Sequence, residues 1–446
     1  MHLSQYLNQE MVNKISVLDP TKEKENEFNK IIPIEDLNSH IYVMASTKSG
    51  KSEFIKLIYI KHALNEDGSI VIFDPHTDLS QQCAKIMDDK KDIIYIYPTL
   101  KKGLTPTINP FRLKCKNEKM IEIVTQELVN AFESIIGSDF SPNMEVLITP
   151  LIYTLIRKND SGIDELVRFL DDNNNEDLLK IGLESPIKAH RDFFKNQFLA
   201  EKFRKTKDAL STKLQIFLNN PSFANFLIGD STINLEKALN NKKIIIFRFP
   251  KGEMRKTLAP IAKLVMALIQ GIVFQRANLD VSLRPKTYMI CDEYQNFFSH
   301  ISNEILSESR KNNLFILGAH QHLSQLDMQS RDGILSAANI IVVGKNSKKD
   351  LKIMAEEIGV DIKLLETLKP GEFYIKVGSN DALRIKTIDK YLGNKFSISD
   401  ELWKKHLKYQ IKHYYKKIDN VSEEQSQICT YHDKTPSLPI PKFDEK

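Results

Sequence analysis

Cysteine is scarce in this chain: Cys83, Cys115, Cys291 and Cys429 are scattered over 446 residues with neither paired nor metal-ligand spacing. That pattern excludes a disulfide frame and a zinc site and leaves ordinary reduced thiols. Long apolar runs are also missing. Around residues 261–274 and 314–319 the runs are broken by Lys263, Gln270, Gln275 and His320, and none approaches the roughly 20 apolar residues of a membrane span. The first residues, Met1-His2-Leu3-Ser4-Gln5, lack the basic segment and apolar stretch of a secretory signal, so the expected compartment is the cytoplasm. A strong charge of one sign is absent too. The net charge of +5 is small for this length and does not by itself indicate nucleic acid. There is no internal repeat. His76 has no second histidine or cysteine at ligand spacing, which argues against a metal role.

What is present is a hydrophobic content of 41%, enough to bury a core in two or three domains. Residues 1–39 are polar and charged, and read as an arm or a small helical lead-in. From His40 the texture changes to short β-type runs at 41–45, 69–73 and 92–97, separated by helix-patterned segments, an alternation that predicts a parallel sheet. Between 114 and 240 the apolar residues fall at helix spacing, as in 120–132, 144–156 and 210–218, which predicts an inserted all-helical domain. Strand texture returns at 243–249, 287–291, 314–319, 340–343 and 373–377. The expected division is therefore 1–39 arm, 40–113 first part of the core, 114–240 insertion, 241–395 second part of the core, and 396–446 a basic helix with a flexible tail. Within that last part, residues 403–417 (WKKHLKYQIKHYYKK) mix lysines with aromatic rings. They suit phosphate contacts with base stacking, an acidic partner, or a solvated helix.

Four constellations carry chemistry. The stretch Ala45-Ser46-Thr47-Lys48-Ser49-Gly50-Lys51-Ser52 follows an apolar strand and opens an apolar helix. In that context backbone N–H groups and the helix N-terminus surround a β-phosphate, Lys51 neutralises the β/γ oxygens, and the Ser52 hydroxyl ligates Mg²⁺. Ala45 stands where the pattern expects its first glycine, and alanine fits there if its φ is negative. The run Thr287-Tyr288-Met289-Ile290-Cys291-Asp292-Glu293 ends a β segment in two acids. Asp292 is placed to hold the Mg²⁺ shell and Glu293 to orient or deprotonate the attacking water, although a strand end capped by Asp-Glu reads the same way. Arg310 and Gln321 flank the apolar run 314–319. A glutamine at that strand tip can report the γ-phosphate, while Arg310, at the opposite end, is suited to a neighbouring subunit's site or is a surface arginine. Finally Asp74, before Pro75 in Asp74-Pro75-His76-Thr77-Asp78, is either a nucleotide contact at the carboxyl edge of the sheet or a turn acid.

In this order the motifs resemble the FtsK–HerA superfamily, and within it the conjugative coupling ATPases of the TraG and TraD type, over roughly residues 40–390. The likeness runs through 46–52, VIFDPHTDL at 71–79, TPTINPF at 105–111, PNMEVLITPLIYTLI at 142–156, DEYQNF at 292–297 and SRKNNLFILGAHQHLSQL at 309–326. The fold it implies is α/β, a RecA-like P-loop ATPase core with a mostly parallel sheet and an inserted all-α domain. It further implies a homo-oligomeric ring, usually a hexamer, with ATP between neighbours and DNA in the channel. By position, Ser46, Thr47, Lys48, Ser49, Gly50, Lys51, Ser52, Glu53 and Asp74 would hold ATP, and Ser52 and Asp292 the Mg²⁺. Lys51, Glu293 and Gln321 would act in hydrolysis, with Arg310 the finger offered in trans. The N-terminal membrane hairpin common among coupling proteins is missing, so membrane association would run through a partner.

The expectation is an ATPase that moves DNA, with the helical insertion meeting substrate or adaptor and a relaxase or secretion-channel proteins as partners in conjugation. One rival is a HerA-type motor partnered with a nuclease in repair or defence. Another is a nucleotide-gated adaptor that recruits cargo to a secretion channel.

Overall fold

The computed structural model describes residues 14–19, 22–27, 32, 35–86, 93–113, 117–254, 257–297, 306, 308–387 and 397–418. Among these the strands are β1 (Lys14–Asp19), β2 (Lys22–Glu27), β3 (His40–Met44), β4 (Gly68–Asp74), β5 (Ile93–Ile96), β6 (Leu104–Thr105), β7 (Ile244–Arg248), β8 (Lys286–Asp292), β9 (Leu314–His320), β10 (Ala338–Gly344), β11 (Glu372–Val377), β12 (Leu383–Lys386) and β13 (Lys416–Lys417). Eleven of them form one sheet in the order β2-β1-β12-β11-β10-β3-β9-β8-β4-β7-β5, and β6 pairs with β13 apart from it. From β10 to β5 every neighbouring pair is parallel, while β11, β12, β1 and β2 add antiparallel strands. All eight β-type runs read from the sequence are strands of this sheet.

The strands read as continuous apolar runs because both faces are covered. β3, β4, β5 and β9 are buried at every position. Side chains alternate across β3: Ile41 and Val43 join a core with Phe54, Ile58 and Tyr59 of helix α1 (Lys51–Asn65). Tyr42 and Met44 join the opposite core. That second core runs without a break into helices α3 (Glu118–Ile136), α4 (Pro142–Lys158), α5 (Glu201–Leu218) and α6 (Leu258–Phe274), α2 (Asp78–Ile86) lying on the α1 side. From Glu118 to Asn240 the regular elements are all helical. The inserted helices are therefore an extension of the layer on one sheet face. Asn109, in the Asn-Pro turn, ties this layer to the sheet by donating from Nδ2 to the carbonyls of Ser161 and Gly229, 2.9 Å each.

Three expectations need correcting. The N-terminal arm is not helical where described: β1 and β2 form an antiparallel hairpin added to β12, a pairing of backbone groups that polar sequence does not advertise. One helical stretch, Leu258–Asn278, does have the length and mean hydropathy (1.7) to cross a membrane, but 78% of its most apolar window is buried within the protein. It is a core helix packed along α3. The third concerns helix α7 (Asp400–Tyr414), one face of which, with Tyr415, covers the free edge of β5 while Lys404, Lys405, Lys408 and Lys412 stay exposed. Gln410 accepts from Tyr95 N at 2.9 Å and donates to Ile93 O at 2.9 Å, and the Tyr415 hydroxyl accepts from Tyr97 N at 3.0 Å. Trp403 packs edge-on against Tyr95. These side chains occupy the hydrogen-bonding row that an edge strand otherwise offers to a foreign strand, so Trp403 and Tyr415 are not available for base stacking. The tail from 419 onward, and Cys115 and Cys429, lie outside the described residues.

Candidate active site

β9 and β8, which come late in the chain, are interleaved between β3 and β4. Because all four strands are parallel, their carboxyl ends bring residues from four distant stretches to one edge, where ligands of open α/β sheets bind. The phosphate loop leaves β3, Gln321 follows β9, Asp292 and Glu293 end β8, and Asp74 ends β4.

The loop turns into α1 through Gly50, whose φ of 97° is left-handed. A Cβ there would also lie 3.0 Å from the backbone of Gly371, so glycine is required on two counts. No side chain caps α1, and among the described residues no hydrogen bond engages the N–H groups of Gly50, Lys51 or Ser52. Uncapped donors at a helix N-terminus suit an anion. Ala45 is not among the positive-φ residues, so it meets the condition set by its sequence. Its methyl group is accommodated by Gly344 on the neighbouring strand, where an added Cβ would come within 2.7 Å of it.

Lys51 Nζ lies 2.8 Å from Asp292 Oδ1 and 3.0 Å from Glu293 Oε1, with all three side chains at most 9% exposed. Burial pulls the lysine toward the neutral form, but the two carboxylates outweigh it and raise its pKa. Glu293 is the hub. Gln321 Nε2 donates to its Oε1 at 2.8 Å, Gln295 Nε2 donates to its Oε2 at 2.7 Å, and His76 Nε2 lies 3.4 Å from Oε1. Burial alone would raise its carboxyl, but His76, the Lys51 ammonium and the two amides hold it well below the usual range. The same contact raises the pKa of His76. Glu293 adopts a left-handed φ of 54°, costly for a side chain with a Cβ and concentrated in proteins at functional sites.

The sensor strand and the phosphate loop are joined around this hub. Thr47 Oγ1 donates to Gln321 Oε1 at 3.2 Å, Asn346 Nδ2 donates to Gln321 O at 2.6 Å, and Ser46 N donates to Lys345 O at 2.9 Å. Gln325 Oε1 accepts from the N–H of Gln321 at 3.0 Å. Asp74 is fully buried, and its two oxygens accept from His76 N at 2.9 Å and Ser80 N at 2.7 Å. Its carboxylate holds the loop that carries His76 and is not directed to solvent. Burial, with Asp292 nearby, raises its pKa. Glu53 pairs with the buried Lys56 at 2.6 Å on α1, and Lys48, Thr47 and Ser52 are exposed along the loop.

Arg310 is not part of this convergence. It is exposed in a short turn before β9, roughly 20 Å or more from the Gln321 end at strand rise. Its carbonyl accepts from Asn313 N at 3.1 Å, but among the described residues its guanidinium makes no hydrogen bond or ion pair. The Mg²⁺ ligands expected from sequence, Ser52 and Asp292, are hard oxygen donors, the first exposed at the start of α1 and the second 2.8 Å from Lys51 Nζ, and their chemistry fits the ion. Among the described residues no group of three or more acidic, histidine or cysteine side chains could hold a metal, so a Mg²⁺ here would complete its shell with phosphate and water oxygens. Sequence reasoning missed His76, Gln295, Gln325 and Asn346. Gln295 lay inside the DEYQNF motif without an assigned role, and His76 was weighed only as a metal ligand.

Comparison with known proteins is consistent with this geometry. The family described as Helicase HerA, central domain, matches residues 24–269, more than half of the chain. Among solved structures, the plasmid coupling protein TrwB in complex with the non-hydrolysable ATP analogue ADPNP is similar at TM-score 0.60 and 16% identity, over 87% of this chain and 92% of that one. TrwB in complex with ADP and Mg²⁺ is similar at TM-score 0.59 and 17% identity, covering 80% and 87%. VirB4 of Thermoanaerobacter pseudethanolicus gives TM-score 0.55 and 15% identity, covering 85% and 97%. At these identities the likeness establishes the fold, a RecA-like α/β core with a helical insertion. No curated protein sequence matches the chain.

Proposed function

From the premise that this chain belongs to the HerA central-domain family of P-loop NTPases, we propose that it is an ATP-hydrolysing, ring-forming motor that moves DNA. The observation that carries the proposal is the division of the machinery. Lys51, Asp292, Glu293 and Gln321 meet at one end of the sheet, while Arg310 stands exposed at the other.

In this reading Lys51 and the uncapped start of α1 bind the phosphates of ATP, with the loop from Ser46 to Glu53 enclosing them. Ser52 and Asp292 would hold Mg²⁺, which neutralises charge on the β- and γ-phosphates when bound. Glu293, kept ionised by its surroundings, orients the attacking water, and Gln321 and Gln295 fix the carboxylate by hydrogen bonds to both oxygens. His76 bridges this carboxylate to solvent. Arg310 completes the site of a neighbouring copy, a contribution that is worth about 10³–10⁵ in turnover for arginine fingers.

Coupling to movement follows from the hydrogen bonds around the sensor. Asn346 grips the Gln321 carbonyl and Lys345 O receives Ser46 N, so the turn bearing exposed Lys345, Lys348 and Lys349 is tied to both nucleotide-sensing elements. Loss of the γ-phosphate would shift that turn, and with it a contact to the DNA backbone. The helical insertion is the surface proposed for substrate or adaptor. The names of the similar proteins, a conjugative coupling protein and the helicase HerA, support two settings, and in this reading the partners would be a relaxase and channel proteins in the first and a nuclease in the second. Genes encoded beside this one would separate them.

DNA-stimulated ATPase activity tests the proposal: purified protein at ring-forming concentration should release phosphate faster with DNA, and no stimulation by either single- or double-stranded DNA would sink the motor reading.

A further inference from the structure

Helix α7 has two sides, and the fold uses one of them. Trp403, His406 and Gln410 are buried on the side that meets β5. They recur at intervals of three and four residues, which puts them on one face. The other side carries Lys404, Lys405, Lys408 and Lys412, all exposed. Lys404, Lys408 and Lys412 stand one turn apart, about 6 Å at helix rise, with Lys405 beside them.

The charge of this row is not cancelled within the protein. From Leu402 to Ile418 the chain has six lysines and no acid. The two acids of the first turn are engaged at the far end of the helix: Asp400 Oδ1 lies 3.0 Å from Lys85 Nζ, and Glu401 Oε1 lies 3.2 Å from Lys405 Nζ. Lys404 feels the charge of Asp400 without pairing with it. Among the described residues the ammonium groups of Lys404, Lys408 and Lys412 make no hydrogen bond or ion pair.

The row is also rigidly mounted. Just before the helix, Ile398 N donates to Lys85 O on α2 at 2.9 Å. In its second half Gln410 is bonded to β5. Beyond it, Tyr415 holds Tyr97, Lys416 pairs with Thr105 of β6, and Lys416 Nζ donates to Ile228 O at 3.0 Å. A helix fixed at both ends presents its lysines with little backbone entropy left to lose on binding.

We propose that the lysine row of α7 is a second DNA contact, holding the phosphate backbone of a strand that passes along the β5 edge of the protein. This rests on the reading of the chain as a DNA motor, and adds a surface that lies outside the nucleotide-sensing turn at Lys345. Charge complementarity names the ligand as a polyanion. The rings that would stack on bases, Trp403 and Tyr415, are occupied against β5, so the contact is confined to phosphates and is indifferent to base sequence. A motor that travels along DNA needs that indifference. A membrane is disfavoured, because an amphipathic helix binds one through its apolar face, and here that face is covered by β5.

Salt dependence of DNA binding by the full chain decides this. The row spans about 12 Å, over which one strand of a duplex presents about three to four phosphates. Binding of fluorescent duplex DNA, followed by anisotropy across a salt series, should therefore lose about 3 from the slope of log affinity against log salt when Lys404→Gln, Lys405→Gln, Lys408→Gln and Lys412→Gln are combined. The same four positions changed to arginine should keep the parental slope. Lys237→Gln with Lys363→Gln, two exposed lysines elsewhere, should change it by well under 1. An unchanged melting temperature of the glutamine variant shows that α7 is still docked. The proposal is overturned if that variant keeps the parental slope, if the scattered pair lowers the slope as much per lysine, or if the variant binds DNA normally and loses binding to phosphatidylserine vesicles instead. A parental slope in the variant, with DNA-stimulated phosphate release by the parent, removes the row and leaves the motor reading standing; a parent that binds neither duplex nor single-stranded DNA removes both.

Discussion

Replacing Lys51 by alanine should do more than remove a phosphate ligand. Its ammonium is the countercharge for two buried carboxylates, 2.8 Å from Asp292 and 3.0 Å from Glu293. Removing one member of such a cluster costs about 3–5 kcal/mol, because the partners remain buried without compensation. Unfolding entropy is about 2.1 cal/mol/K per residue, so a chain of this length loses roughly 1 °C of melting temperature per kcal/mol. Lys51→Ala should therefore melt about 3–5 °C below the parent at neutral pH without nucleotide. The sign of the pH dependence follows from Glu293, whose folded pKa is depressed. Its stabilising contribution is complete above the ordinary glutamate range and is lost as pH falls through the lower folded value. In Lys51→Ala one cause of that depression is gone, so the gap between variant and parent is widest near pH 7 and narrows as pH falls below about 4.5, the ordinary glutamate value, where the unfolded chain takes up the Glu293 proton. Turnover should fall by at least about a thousandfold at every pH. Calorimetry at pH 7.5 and pH 4 and steady-state phosphate release measure the three quantities. Equal melting temperatures at pH 7.5, or a gap that does not shrink at pH 4, would refute the charge argument, and retained turnover would remove Lys51 from the mechanism.

Arg310→Ala should bind nucleotide with parental affinity and lose hydrolysis, and mixing it with Glu293→Gln subunits should restore part of the activity, since each supplies what the other lacks; titrated mixtures assayed for phosphate release would show it. Gly344→Ala brings a methyl group to 2.7 Å from both the Ala45 methyl and the Phe373 ring and should destabilise by about 1–3 kcal/mol, while the double variant with Ala45→Gly recovers only part of the loss because Phe373 still crowds the new methyl; denaturant melts of the four proteins in this cycle check it. Gln410→Ala exposes the Tyr95 N–H and the Ile93 carbonyl on the edge of β5 and should cost about 1–3 kcal/mol, with faster aggregation on warming, read by light scattering.

Much of the core was legible in the amino-acid order. The apolar runs of β3, β4, β8 and β9 are the kind that only a doubly covered parallel sheet buries, and the 3.6-residue spacing of 114–240 marked the helices of the insertion. Other parts carried no local mark. The β1–β2 hairpin is polar, and what places it is the backbone edge of β12. The residues of α7 looked equally suited to nucleic acid because lysine and tyrosine serve both roles. Only the position of Gln410 and Tyr415 against β5 shows that part of that segment is an edge cover. His76 had no partner at short spacing, since its partner, Glu293, arrives from a strand more than two hundred residues away.

The sequence by itself determined which chemistry is available: a phosphate loop preorganised by Gly50, an acidic strand end, a glutamine at a strand tip, and an arginine eleven residues before it. These are properties of short stretches, set by backbone conformation and side-chain type, and they need no distant partner to be recognised. Tertiary structure alone decided how they are shared out. The interleaving of β9 and β8 between β3 and β4 makes Glu293 the hub of four hydrogen-bonding side chains and keeps it ionised, because parallel neighbours deliver their carboxyl ends to one edge. The same parallel arrangement puts the start of β9, and so Arg310, at the other edge, far from the site in its own chain.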